Sequence, residues 1–400
     1  MLKGKSILLG VTGSVAAYKA IELIKRLRQE EASVIVIMTE AARSFVTPLS
    51  LELASGQRVC LDMFESPLSH VKLPAEADLF VVAPATANII GKFAGGLADD
   101  LLSTALAAFR GKVIMAPAMN WRMYENPAFR RNLDYLVSIG VETVGPAAGN
   151  LACGEQGIGR MAETEDITEK IRLALTEQDF AGQHLLITAG PTREYLDPVR
   201  YLSNRSSGKM GYALAAIAGR RGAEVTLISG PSALKPPPGI SVINVETASE
   251  MYRAVSDNIS RATIFVMSAA VSDFAPVRTE QSKIDKKETF SLDLVGTTDI
   301  LKEMGKLERR PFMVGFSAET GARTDRARGK LADKNLDMIV FNDVTVSGAG
   351  FDTDTNKVTL IFRDQPGSML EVPLPMMSKE DVASAILDKV LSLKKESSAK

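Results

Sequence analysis

The chain has 400 residues, 46% hydrophobic and 24% charged, a composition that excludes disorder and a length too great for one ordinary core. Lys and Arg total 47 against 48 Asp and Glu, and a net charge of -1 gives no global reason to coat nucleic acid or an anionic membrane. Two cysteines, Cys60 and Cys153, exclude a disulfide framework and a cysteine-based zinc site, and two histidines, His70 and His184, limit any imidazole chemistry.

The opening MLKGKSILLGVTGS lacks the small-residue cleavage pattern of a signal peptide. The longest uncharged apolar stretch, 79–91, is too short to span a bilayer and contains Pro84. The expectation is a cytoplasmic enzyme or binding protein.

In chain order, SILLGV at 6–11 is a buried-strand candidate, followed by a helical pattern from 15 to about 29. SVIVIM at 33–38, LFVVA at 79–83, VIMA at 113–116 and VETV at 141–144 repeat the strand signal, with a helix at 127–139. Apolar runs without in–out alternation predict strands covered on both faces, hence a parallel sheet between helices. A polar break at 177–183 (EQDFAGQ) predicts a linker, after which HLLIT at 184–188 restarts the theme. A helix ending near 222 and strands at 223–229, 262–267, 312–316 and 337–341 follow. Thr247-x-x-Glu250 has the form of a capping box, 357–363 with 369–372 read as a hairpin, and Ser378-x-x-Asp381 opens a C-terminal helix. The fold class is therefore α/β, with two doubly wound Rossmann-like domains in series: residues 1–182, flavodoxin-like, and 183–400, carrying a small β hairpin.

The turn Gly10-Val11-Thr12-Gly13-Ser14-Val15 joins the first strand to the first helix, where glycines and free N–H groups attract a phosphate. Val15 and Ala16 stand where the GxGxxG spacing needs glycine, which favours a mononucleotide such as FMN over NAD. APATAN at 83–88, APAMN at 116–120 and LACGE at 151–155 end strands at the same sheet edge, where open α/β sheets place ligands. The series GVTGSVAAYK, MTEAARSFVTPLS, APATANII, PAMNWRMYENP and ACGEQGIGRM resembles the flavin-dependent cysteine decarboxylases over residues 3–175. The resemblance is to the phosphopantothenoylcysteine decarboxylase half of the bifunctional coenzyme A biosynthesis enzymes.

The resemblance implies that Gly13, Ser14, Thr39, Thr86 and Ser103 hold FMN. It makes His70 an active-site histidine, Asn120 the carrier of the substrate carboxylate beside Met119, and Cys153 the proton donor of a flap. In that chemistry the substrate thiol is oxidised to a thioaldehyde, CO2 leaves to give an enethiolate, and the returning electrons require a proton at carbon. A thiol with a pKa of about 8.5 is protonated near neutrality and can donate it. His70 by itself, ahead of the alternating Val71-Lys72-Leu73, would pass for a structural histidine.

The second half carries ITAGPTREYLDPVR, LSNRSSGKMG, SAAVSDF, SKIDKK, GFSAET and KLADKNLD between 185 and 343. These resemble the phosphopantothenate–cysteine ligases that bacteria fuse to the decarboxylase. The resemblance implies activation of 4′-phosphopantothenate by CTP with Mg2+ to an acyl-cytidylate, then attack by the cysteine amine. It assigns Asn204 and Arg200 to the intermediate, with Ser206 and Gly208 beside them, and Lys283 to the triphosphate. Met267, Ser268, Ala269, Asp273, Thr297, Thr298, Asp299, Ile300, Phe316, Lys330 and Lys334 would line the nucleotide site, with Mg2+ held by phosphates and Asp273. Lys286 and Lys287 read as a solvated charge run. The chain departs from the family pattern at Arg205 and at Thr297-Thr298, which leaves CTP against ATP open. Family members also imply trimeric decarboxylase and dimeric ligase halves, together a dodecamer. The competing readings are a regulatory flavin-binding subunit, or a flavin or nicotinamide oxidoreductase on another substrate.

Overall fold

The apolar runs without alternation form strands of two separate sheets. The computed structural model describes residues 2–64, 67–150, 154–286, 290–321, 324–350, 353–365 and 368–398. It divides into two units, Met1–Thr176 and Glu177–Lys400.

In the first unit, β1 (Ser6–Val11), β2 (Ser33–Met38), β3 (Leu79–Ala85), β4 (Lys112–Pro117) and β5 (Glu142–Thr143) form a parallel sheet in the order β2-β1-β3-β4-β5. That is the flavodoxin-like order, with the crossovers changing direction beside β1. Successive β1 residues serve opposite faces. Ile7 and Leu9 pack with Leu23, Ile24 and Leu27 of the helix Lys19–Gln29 and with Ile167 and Ile171 of Thr164–Leu175. Leu8 packs with Phe80, Leu102, Leu106, Phe129 and Leu133 on the other face. Both faces are covered, so in-facing residues occur at every position and the strand cannot alternate.

Two local elements have no counterpart in the sequence reading. Residues 71–73 lie within a helix, Ser69–Ala75, whose Leu73 packs against the cluster holding Leu101 and Leu102. Three alternating residues were too few to define a strand against that packing. The glycine-rich stretch after 146 contains an antiparallel hairpin, β6 (Ala147–Asn150) with β7 (Gln156–Arg160). Gly159 has φ +156 and carries no side chain because a Cβ there would lie 2.1 Å from the Met119 carbonyl oxygen.

The second unit contains β8 (His184–Ala189), β9 (Arg193–Tyr195), β10 (Tyr201–Ser203), β11 (Glu224–Ser229), β12 (Ser241–Asn244), β13 (Ile264–Met267), β14 (Phe274–Pro276) and β15 (Leu294–Gly296). It continues with β16 (Phe312–Glu319), β17 (Met338–Asp343), β18 (Thr355–Asn356), β19 (Val358–Gln365), β20 (Ser368–Pro373) and β21 (Met377–Ser378). The main sheet runs β12-β11-β8-β13-β16-β17-β19-β20, parallel through β17 and closed by the antiparallel β19–β20 hairpin. Pairs β9–β10, β14–β15 and β18–β21 stand outside it. The capping box forms as expected, Thr247 Oγ1 accepting from the Glu250 N–H at 3.2 Å. Ser378 likewise accepts from the Asp381 N–H, at 3.1 Å, at the start of the C-terminal helix Lys379–Ser398. His184 is structural: its ring nitrogens lie 3.0 Å from Thr226 Oγ1 and 3.1 Å from the Arg261 carbonyl.

The units meet at 176/177 rather than at the 182/183 boundary read from the sequence. The intervening segment is anchored in the second unit. Phe180 is fully buried there, its N–H donates to the Arg221 carbonyl at 2.9 Å, and the Arg221 guanidinium lies 4.8 Å from its ring. Arg221, itself buried, pairs with Asp179 at 2.5 Å and with Asp388 of the C-terminal helix at 2.6 Å. Hydrogen bonding from Arg221 holds the Asp179 carboxyl below its ordinary pKa against the opposing effect of burial. Removing the cation would leave two carboxylates unpaired beside an apolar ring. Arg221→Ala is expected to destabilise the second unit by about 2–3 kcal/mol, less than a fully buried pair because Asp388 is solvated. Denaturant unfolding followed by the two units' separate transitions checks this.

Candidate functional site

Each sheet places a cavity at the carboxyl ends of its strands, in the first unit where the order reverses beside β1 and in the second one strand further on, at β13 and β16. In the first unit, Thr12 ties the ends of β1 and β3 together: its hydroxyl donates to the Pro84 carbonyl at 2.7 Å and accepts from the Thr86 N–H at 3.2 Å. Beyond it opens a cavity of about 970 Å³ lined by Gly13, Ser14, Thr39, Thr86, Met119 and Asn120 among others. This lies at the upper end of the roughly 300–1,000 Å³ usual for small-molecule sites. Ser14 caps the short turn before the first helix by accepting from the Ala16 N–H at 3.3 Å. A Cβ on Gly13 would lie 2.6 Å from that of Ala41, so only glycine lets the 39–41 segment close this wall.

Asn120 caps the helix Trp121–Tyr124, its Oδ1 accepting from the Arg122 N–H at 2.9 Å. Its amide nitrogen faces the Glu155 carboxylate at 3.4 Å, which also accepts from Trp121 Nε1 at 2.8 Å and Arg122 Nη2 at 2.7 Å. The donors around Asn120 are thus suited to a carboxylate. The hairpin bearing Glu155 docks on this loop through the Met119 N–H, which donates to the Gly159 carbonyl at 3.0 Å.

Other expected residues lie elsewhere. Ser103 is buried in the helix Leu101–Ala108, where its hydroxyl serves the capping box with Asp100; Asp100, not Ser103, lines the cavity. Burial would raise the Asp100 pKa, but Lys92 and the Ser103 donors lower it on balance. His70 opens its own helix outside the cavity lining, with a buried Nδ1 that has no hydrogen-bond partner among the described residues. Cys153 lies outside the described residues. Lys92, Asn88 and Arg160 also line the cavity; sequence reasoning missed them although Asn88 and Arg160 sit inside the quoted motifs.

In the second unit a cavity of about 190 Å³ is lined by Met267, Ala269, Asp273, Thr297, Thr298, Asp299, Ile300, Phe316, Lys330 and Lys334. Segments remote in sequence converge because β13 and β16 are neighbours and the helix Ile300–Gly305 starts at their ends. Asp299 caps that helix, accepting from the Lys302 N–H at 3.1 Å, and pairs with Lys334 at 2.8 Å. Lys330 donates to Ser317 Oγ at 3.1 Å and to Glu319 at 2.8 Å. Burial would push the Glu319 carboxyl up, but Lys330 outweighs it and holds the pKa low. Ser268 is not a lining residue, since its hydroxyl donates to the Thr188 carbonyl at 2.7 Å. Ser272, Val271, Leu301, Leu336 and Ile339 complete the wall; apart from Ser272 they are apolar residues that only packing could select.

Asn204 reaches this wall from the loop after β10, its amide donating to the carbonyls of Val271 at 2.9 Å and Ala270 at 3.4 Å. Ser206 Oγ accepts from the Gly208 N–H at 3.3 Å, and Gly208, at φ +79, begins the helix Lys209–Arg220. Lys283 is exposed and outside the cavity lining. Arg200 lies near it, donating to the carbonyl of Ile284 at 3.0 Å. Among the described residues no cluster of three His, Cys, Asp or Glu side chains could hold a metal, and no helix is long and apolar enough to cross a membrane.

Because the Gly159 position abuts a carbonyl, Gly159→Ala is expected to push the hairpin off the Met119–Asn120 loop. Flavin retention on purification should fall at least about tenfold while unit two keeps its unfolding midpoint, read by absorbance and calorimetry.

Comparison with known proteins agrees with this division. The Flavoprotein family matches residues 1–176, and the DNA/pantothenate metabolism flavoprotein C-terminal domain matches residues 180–393. The coenzyme A biosynthesis bifunctional protein CoaBC of Bacillus subtilis is 46% identical over 99% of this chain and 99% of its own. That of Escherichia coli K12 is 42% identical, covering 98% of each chain. A crystal structure of the C-terminal domain of a CoaBC protein aligns at TM-score 0.47 and 37% identity, covering 55% of this chain and 100% of that one. The chain belongs to the bifunctional CoaBC family of coenzyme A biosynthesis enzymes, which join a flavoprotein decarboxylase half to a ligase half.

Proposed function

We propose that the first unit binds FMN and decarboxylates 4′-phosphopantothenoylcysteine to 4′-phosphopantetheine, and that the second makes that substrate from 4′-phosphopantothenate, cysteine and CTP with Mg2+. The observation that carries the first assignment is the cavity bringing Gly13, Ser14, Thr39, Thr86 and Asn120 to one switch point. Small and hydroxyl residues there admit a flat ring and its phosphate, and the cavity volume accommodates both. FMN would supply the reversible two-electron step. The chain's own part is to hold the substrate carboxylate through Asn120, which already faces a carboxylate oxygen of Glu155, and to deliver a proton from Cys153. His70 is placed in this chemistry by family resemblance, its buried Nδ1 leaving one polar atom for a group beyond those described.

In the ligase unit, Asp273, Thr297, Thr298, Asp299 and Ile300 would line the nucleotide, with Met267, Ala269 and Phe316 as apolar walls. Loading a carboxylate and a triphosphate together concentrates negative charge, which Lys330, Lys334, Lys283 and Mg2+ would offset. Mg2+ needs few protein ligands when phosphates supply oxygens, and Asp273 is the carboxylate assigned to it. Asn204 and Arg200 would orient the acyl-cytidylate for amine attack. The enzyme would work in the cytoplasm, with trimeric decarboxylase and dimeric ligase units.

The deciding assay mixes purified protein with 4′-phosphopantothenate, cysteine and Mg2+, with CTP or ATP in parallel, and resolves products by mass. Phosphopantetheine formed with CTP is the expected result; formation with ATP alone would overturn the nucleotide assignment. Cys153→Ser should leave ligation intact and reduce phosphopantetheine formation by at least about 100-fold, as removal of a proton donor does. Normal product at the normal rate from that variant would remove Cys153 from the mechanism.

A further inference from the structure

The Asp197 carboxylate is fully buried and bridges two loops distant in sequence. Its Oδ1 accepts from the N–H groups of Val199 at 2.7 Å and Arg200 at 2.8 Å, closing the turn that follows β9. Its Oδ2 accepts from the Ile284 N–H at 3.1 Å and from Arg200 Nη1 at 3.1 Å. Arg200 Nη1 also donates to the Ile284 carbonyl at 3.0 Å, so carboxylate, guanidinium and peptide form a closed ring of contacts. Neighbouring bonds run the same way: the Glu280 N–H donates to the Leu196 carbonyl at 2.9 Å, and Thr279 Oγ1 to that of Tyr195 at 2.9 Å.

An aspartate that merely forms a turn needs one oxygen, as Asp-Pro-x-Arg turns commonly use it. Here the second oxygen is committed to a segment 87 residues away, directly beside Lys283. We propose that Asp197 is a positioning residue of the ligase half-reaction, fixing the Arg200 guanidinium and the Lys283 backbone relative to each other. The proposal rests on the reading that Arg200 and Lys283 serve the acyl-nucleotide step. Arg200 alone is a half-exposed side chain and Lys283 sits on an exposed loop. Without the clasp, both would sample many arrangements, and misplacement by about 1 Å can cost on the order of 100-fold in rate. Burial alone would push the Asp197 carboxyl up, but the donated N–H bonds and Arg200 outweigh it and hold the group low, so it stays ionised in the range where an enzyme would ligate.

The chemistry of the bridge gives a selective test. Asp197→Asn can keep the turn, because its amide oxygen still accepts from Val199 and Arg200. Its amide nitrogen then meets two donors, the Ile284 N–H and the guanidinium, and the clasp opens. The expected result is a fall in ligation kcat of about 10- to 100-fold, with decarboxylation of supplied phosphopantothenoylcysteine unchanged. In a background lacking both side chains, Arg200→Ala with Lys283→Ala, the same substitution should cost less than about twofold, because a residue acting through these two has nothing left to position. Full ligation by Asp197→Asn, or losses that multiply with those of the Arg200→Ala, Lys283→Ala double variant, would overturn the proposal. If Lys283→Ala and Arg200→Ala are themselves silent, the reading of the ligase site fails and the positioning role fails with it. Hydrogen exchange on the unmodified protein keeps the idea testable should the variant not fold. The Ile284 amide, on an otherwise irregular loop, should be protected at least about 100-fold, and exchange at the rate of an open loop amide would refute the clasp.

Discussion

The opening of each cavity at the carboxyl ends of parallel strands covered on both faces is the constraint on which both sites depend. Helices leave β1 and β3 on opposite faces, as they leave β8 and β13, and a crevice is left at the strand ends. The strands offer few polar groups there, Ser317 and Glu319 of β16 among them, because most of their residues are committed to the two faces. Chemistry therefore falls to the loops, and the loops must be built from small residues to come close. Gly13 beneath Ala41 and Gly159 beneath the Met119 carbonyl are the first unit's version. Gly230, whose Cβ would lie 1.9 Å from the Pro191 carbonyl oxygen, is the second's.

Carboxylates organise these loops more than cations do. Glu155 gathers Asn120, Trp121 and Arg122; Asp299 combines a helix cap with Lys334; Asp197 joins Arg200 to the peptide beside Lys283. A near-neutral chain with 47 basic and 48 acidic residues can thus present local positive groups to anionic substrates in fixed positions. The arrangement also explains why the cations of the ligase cavity are paired: a lysine held by Glu319 or Asp299 keeps one orientation and some of its charge is balanced until an anion competes for it.

Much of the fold was legible because burial on both faces writes itself into the sequence as unbroken apolar runs. The strands Ser6–Val11 and Ser33–Met38 and the Thr247–Glu250 capping box match their sequence reading residue for residue. Short elements were not legible. The β6–β7 hairpin is mostly glycine, alanine and polar residues, with Ile158 its one strong strand former, and it docks on the Met119–Asn120 loop. The helix at Ser69–Ala75 depends on packing of Leu73, and the unit boundary moved because Phe180 is drawn into the second core.

Motif residues identified loops that line the cavities, yet not how each side chain is used. Ser103, outside the quoted motifs, and Ser268, inside one, turn their hydroxyls to a helix cap and a strand carbonyl, since a buried hydroxyl must find the nearest partner. The sequence alone determined two doubly wound domains in series, loops that end strands at a common sheet edge, and the family to which those loops belong. Only the tertiary structure decided which residues face the cavities, that Glu155 meets Asn120, and that Asp197 spans to Ile284. Those are contacts between segments tens of residues apart, and local propensity contains no information about distance in space.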